Sequence, residues 1–142
     1  MIGDWEKPEI DFLIVADRVE AVNGRLYMMG GAIDTFNVID FARPVGISLA
    51  LGILVPWNAA NEDHAFNVSV ESEDGSKIEP DISGNLNVGR PSTAIRGQSF
   101  RALIAINAAW TLPGPGTYRV MANVAGAQPK REVFHAVKAP PR

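Results

Sequence analysis

Cysteine is absent from the 142-residue chain. That excludes disulfides, thiolate metal centres and cysteine nucleophiles together. Histidine is scarce, with only His64 and His135 present. An excess of basic charge is also lacking: 13 Lys and Arg stand against 16 Asp and Glu, for a net charge of −3. Phosphate binding wants a positive surface, so no nucleic-acid role is expected. The opening MIGDWEKPEI has no apolar leader run. The two long uncharged stretches, around Val45–Asn61 and Ala102–Tyr118, fall short of the roughly 20 apolar residues a spanning helix needs, and both carry Gly, Asn or Pro. No membrane span is expected, and the cytoplasm is the expected compartment. No window keeps a 3.6-residue apolar period, so helix should be scarce.

What the chain has is alternation. In Val45–Val55 (VGISLALGILV), Val45, Ile47, Leu49, Leu51, Ile53 and Val55 are large, while Gly46, Ser48, Ala50 and Gly52 between them are small. A period of two sends the large residues to one face of a strand and the small ones to the other, which reads as a central strand. Asn23-Gly24 predicts a type I′ hairpin that sets Ala21 opposite Leu26 and Val19 opposite Met28 on one face, with Glu20 and Tyr27 on the other. Gly30-Gly31 then breaks the strand so that the chain can cross between sheets. Asp74-Gly75 marks a second hairpin, and Leu112–Gly116 (LPGPG) a rigid connection. Pro115–Val120 (PGTYRV) resembles the start of a late strand in immunoglobulin-like bacterial modules, where a tyrosine hydroxyl ties down the preceding loop. The alternative for Tyr118 is a simple half-exposed ring. The spacing predicts an all-β fold: a two-layer antiparallel β-sandwich, immunoglobulin-like in general build, of about eight strands. It occupies residues 11–138 as a single domain, between a flexible arm over 1–10 (with Trp5 and Pro8 tacking it down) and a tail over 139–142.

The run Phe12–Gly31 joins an apolar strand ending in Ala16-Asp17 to Gly24-Arg25-Leu26-Tyr27 and Gly30-Gly31. Together with Gly52–Trp57 (GILVPW) and Leu112–Tyr118 (LPGPGTY), it resembles a bacterial family of unknown function common in actinobacteria. The resemblance spans most of the chain and implies a β-sandwich. It implies no activity, and it carries over no functional residue.

The residues themselves offer no catalytic constellation. There is no G-x-S-x-G elbow, and each histidine reads as structural or solvated. The acidic groups around Glu71, Glu73 and Asp74, and the run Asn61–His64, are the densest sets of candidate metal ligands. A charged outer face plus a hairpin turn explains them better than calcium does. No metal and no cofactor are expected. What remains is surface. If the strands from Val45 onward alternate up and down, the loops Pro56–Asp63, Gly89–Gln98 and Gly126–Pro129 share one end. That end carries Trp57, Asn58, Asn61, Arg90, Arg96 and Gln128, and tryptophan and arginine are enriched in binding hot spots. The function expected is therefore a non-catalytic binding or assembly module, contacting an unknown protein partner by these residues or by an edge strand, through which a homodimer could also form. The alternative is a small-ligand binder or enzyme with a pocket near Asp17, Tyr27 and Asp34, since an ionised carboxylate at the end of an apolar strand needs partners.

Overall fold

The computed structural model describes residues 7–140; the anchoring role expected of Trp5 lies outside them. Ten strands follow one another: β1 (Glu9–Ala16), β2 (Arg18–Val22), β3 (Arg25–Met29), β4 (Thr35–Val38), β5 (Val45–Val55), β6 (Asp63–Ser72), β7 (Lys77–Asn87), β8 (Phe100–Trp110), β9 (Gly116–Val124) and β10 (Lys130–Lys138). Among the described residues the only helical element is a 3-10 turn at Trp57–Ala59. The count exceeds the expected eight partly because residues 9–22 form two strands. At Asp17 the chain leaves its sheet, and the Asp17 N–H turns to the Met29 carbonyl at 3.0 Å. β1 also begins inside the expected arm: Pro8 and Ile10 are buried.

One sheet has the order β1-β5-β8 and faces a larger one of order β4-β10-β9-β6-β7. The core lies between them. Ile47, Leu49, Leu51, Ile53 and Val55 on the inner face of β5 are at most 1% exposed, against Val68, Val70, Val120, Val124 and Phe134 of the facing sheet. Each such side chain contributes about 1.5–3 kcal/mol by leaving water. Pairing is antiparallel throughout these two sheets except between β10 and β4, which run parallel. The exception has a local cause. Residues 32–34 cross from one sheet to the other: the Ile33 N–H bonds to Val15 in β1, and the Asp34 carbonyl accepts the His135 N–H of β10 at 2.7 Å. The chain therefore joins the larger sheet alongside β10.

The small-residue face of β5 is not bare. The β2–β3 hairpin folds over it as a partial third layer, with Val19 and Ala50 fully buried and Leu26, Met28, Ile14 and Ala105 packed around them. The hairpin has the register read from Asn23-Gly24, with Ala21 opposite Leu26 and Val19 opposite Met28, and φ is 50° and 74° at the two turn residues. Gly52 is required here, because a Cβ on it would lie 2.1 Å from the Phe12 ring. Asn107 on β8 clamps the hairpin. Its side-chain amide donates to the Val19 carbonyl at 2.7 Å, and its carbonyl oxygen accepts the Val19 N–H at 3.1 Å. It thus pairs with Val19 as a strand residue would. The buried Ser48 hydroxyl lies between the Asn107 Oδ1 and the Asp17 carbonyl, at 2.6 and 3.1 Å.

Candidate functional site

The register places three loops at one end of the sandwich. Val55 pairs with Phe100, Asp63 with Asn87, Phe66 with Val124 and Ala122 with Lys130. The connections β5–β6, β7–β8 and β9–β10 therefore all emerge there. Residues 78–80 lie within β7, so the up-and-down alternation is kept.

Pro56 ends β5, and the chain closes at once into the 3-10 turn, with the Ala59 N–H on the Pro56 carbonyl at 2.9 Å. Ala59 and Ala60 are buried beneath it. Asn61 adopts φ 62°, a left-handed conformation that asparagine tolerates, and its N–H bonds to Val88 at the end of β7 at 2.8 Å. His64 is buried and its Nε2–H donates to the Ala59 carbonyl at 2.7 Å. It braces the turn, as a structural histidine does.

Trp57 is half-buried. Its ring packs beside Phe100, with centroids 6.1 Å apart and planes 28° apart. The Arg90 guanidinium lies 4.3 Å above its centroid, a cation–π contact. Arg90 also donates through Nε and Nη2 to the Trp57 carbonyl. The first residues of the β7–β8 loop are thereby pinned to the β5–β6 loop. Two turns then shape the rest of that loop: the Ala94 N–H reaches the Pro91 carbonyl and the Gln98 N–H the Ile95 carbonyl, both at 2.9 Å, while the Ile95 N–H donates to the Gln98 side chain at 3.0 Å. The result is an ordered loop that holds Ile95 at 75% exposure, with Arg96 exposed beside it.

Of the six residues expected at this end, the structure joins Trp57 to Arg90 and ties Asn61 to the end of β7. Asn58, Arg96 and Gln128 are exposed on the same end, and no hydrogen bond links them to the Trp57–Arg90 pair among the described residues. Ile95 and Phe100 were missed. An isolated isoleucine in a polar loop without periodic partners was the available signal for the first. Phe100 opens β8, and nothing in its local pattern signals the contact with Trp57.

The alternative trio is spread over separate places in the fold. Asp34 helps line a small cleft of about 140 Å³ with Leu13, Val15, Ile33, Glu132 and Val133, and neither Asp17 nor Tyr27 is among its walls. Asp17 is exposed; its carboxylate lies against Gly30, where a Cβ would be 2.3 Å from the Oδ2 atom. Tyr27 is 55% exposed on the outer face of the hairpin, opposite Glu20. Two of the acidic residues of the β6–β7 hairpin have partners within the protein. Glu71 pairs with Arg119 at 2.9 Å. Asp74 accepts the Ser72 hydroxyl and, at 2.9 Å, the Ser76 N–H, and these donors hold its carboxyl down from 3.8 to about 2. Among the described residues no group of three or more His, Cys, Asp or Glu side chains could hold a metal ion.

No helix among the described residues is long and apolar enough to cross a membrane. A search of curated proteins finds no match to the chain. A family model does match, over residues 11–137, and is described as a family of unknown function (DUF6941). That span takes in all the strands from β2 to β9, the loop end and nearly all of β1 and β10, and the chain belongs to this family.

Proposed function

We propose that the protein is a non-catalytic binding or assembly module, immunoglobulin-like in general build, whose contact surface is the loop end bearing Trp57, Arg90, Ile95 and Arg96. One observation carries the reading: the β7–β8 loop is fixed by two turns and by the Arg90 clamp on Trp57, yet it holds an isoleucine at 75% exposure. A large apolar side chain on an ordered loop gains nothing for folding. It does supply a pre-organised anchor, because little conformational entropy remains to be lost on binding. The flanking arginines are residues that hot spots favour.

The test is affinity capture from an extract of the source cells, using the intact protein and the variants Ile95→Asp and Arg96→Glu. A third variant, Ser83→Asp on the polar outer face of β7, is the control. All should melt like the parent, since exposed substitutions change stability by no more than about 0.5 kcal/mol. A partner retained by the parent and the control should be lost by both loop variants. Equal retention by all four proteins would sink this assignment.

A further inference from the structure

The two main sheets have four edges: β1 and β8 in one, β4 and β7 in the other. Unpaired edges invite pairing with another chain, and proteins normally blunt them. β1 carries Glu9 and Asp11, a register shift between Ile10 and Phe12, and the Ile33 N–H capping its Val15 carbonyl. β4 is only four residues long. β7 contains Pro80, a register shift opposite Val68–Val70, and the charges Lys77, Glu79 and Asp81. Of these devices β8 has only one, a single charge. It runs for 11 residues (FRALIAINAAW) without proline, glycine or irregularity, in unbroken register with β5. Its single charge, Arg101, is already paired with Asp11 at 2.7 Å.

The direction of its free groups can be read from Thr111. That N–H points away from β5 and bonds to the Glu79 carbonyl of β7 at 3.0 Å. Main-chain groups alternate in direction along a strand, so those of Arg101, Leu103 and Ala105 also face outward. The apolar interior is open on this side as well. Ala102, Ile104 and Ile106 of β8, and Ile82, Leu86 and Val88 facing them, are only half-buried.

We propose that β8 pairs antiparallel with β8 of a second copy of this chain, about a twofold axis at Ile104. This inference stands apart from the loop-end reading. In that register Leu103 meets the partner's Ala105, and Arg101 meets the partner's Asn107. Outward-facing groups then bond to outward-facing groups, and no like charges oppose each other. The pairing joins two three-stranded sheets into one of six, and the half-buried side chains of both copies become covered. A closed twofold contact uses the same patch on each subunit, which this strand supplies. The 108–110 end, held against β7 through Thr111, stays outside the pairing.

The test is sedimentation of the whole chain at micromolar concentration. The parent should be a dimer. Leu103→Lys places a charge on the outer face without touching either buried cluster, and should weaken the dimer about tenfold or more while leaving the circular dichroism unchanged. Because the chain lacks cysteine, single-cysteine variants report geometry cleanly. Ile104→Cys should oxidise to a covalent dimer, since directly opposed residues bring their Cβ atoms close enough for a disulfide. Ser83→Cys on β7 should not. A monomeric parent overturns the proposal. So does a dimer that survives Leu103→Lys, or one in which Ile104→Cys fails to cross-link. Pairing of β8 with an added extended peptide by a parent that never self-associates would also overturn it, and would identify a different occupant.

Discussion

At the end of the sandwich where β8 finishes and β9 begins, Trp110, Leu112 and Tyr118 are at most 2% exposed. The Trp110 indole N–H donates to the Ile47 carbonyl at 3.0 Å, and the Tyr118 hydroxyl donates to the Gly114 carbonyl at 2.5 Å. At the opposite end Trp57 is half-buried, and its ring is covered by an exposed arginine. Both ends use aromatic residues and proline-containing connections. One end turns its aromatics inward and bonds their polar atoms to its own backbone. The other spends its arginine and its turns on holding a loop outward. Aromatic residues satisfied internally serve the fold, whereas an aromatic that braces an ordered, apolar-tipped loop shapes a surface.

The sharpest way to break this contrast is to truncate the two tryptophans. Trp110→Ala should cost about 3–5 kcal/mol, because it empties a fully buried site and removes the indole hydrogen bond to the Ile47 carbonyl. Trp57→Ala should cost only about 1–2 kcal/mol, because half the ring never left water. Urea denaturation of both variants measures the difference. Equal losses would mean that the loop end is as much a part of the core as the sealed end. Next in size is Tyr118→Phe, which keeps the stacked contact with Phe134 at 5.3 Å and removes only the hydroxyl. A loss of about 1 kcal/mol is expected. No change would show that the tie to Gly114 adds nothing to stability, and that burial of the ring alone seals that end.

The same contrast explains what could be read from the residues. The alternation in Val45–Val55 and the Asn23-Gly24 turn gave the central strand and the hairpin register correctly, because both follow from local geometry. The tie of Tyr118 was suggested by the resemblance to immunoglobulin-like modules, and its partner lies only four residues away. The third layer was not legible. Ser48, Ala50 and Gly52 read only as the small-residue face of a central strand, since their smallness makes sense only once Phe12 and Val19 arrive from other parts of the chain. Asn107, 88 residues from Val19, gave no local sign of its clamp. At the loop end the shared position of the three loops followed from counting strands, but the grip of Arg90 on Trp57 spans 33 residues and depends on how two loops fold.

The smallest effect belongs to the sealed end, where the β6–β7 turn holds Asp74. Its carboxyl titrates at about 2 when folded, against 3.8 for the ordinary group, because the Ser72 hydroxyl and the Ser76 N–H donate to the ionised form. Between those values the unfolded chain binds the proton more readily, so stability must fall with pH across that window. The contribution is complete above 3.8 and is lost as the pH drops towards 2. Asp74→Ala should therefore be less stable than the parent at neutral pH, and the gap should close over that acid range. Arg96→Ala, at the other end, should show no such closing gap, since that side chain is remote from the turn. Denaturation midpoints at neutral pH and across the acid window test both variants. A gap between Asp74→Ala and the parent that keeps its size down to pH 2 would mean that the Asp74 side chain supports the turn by something other than its charge.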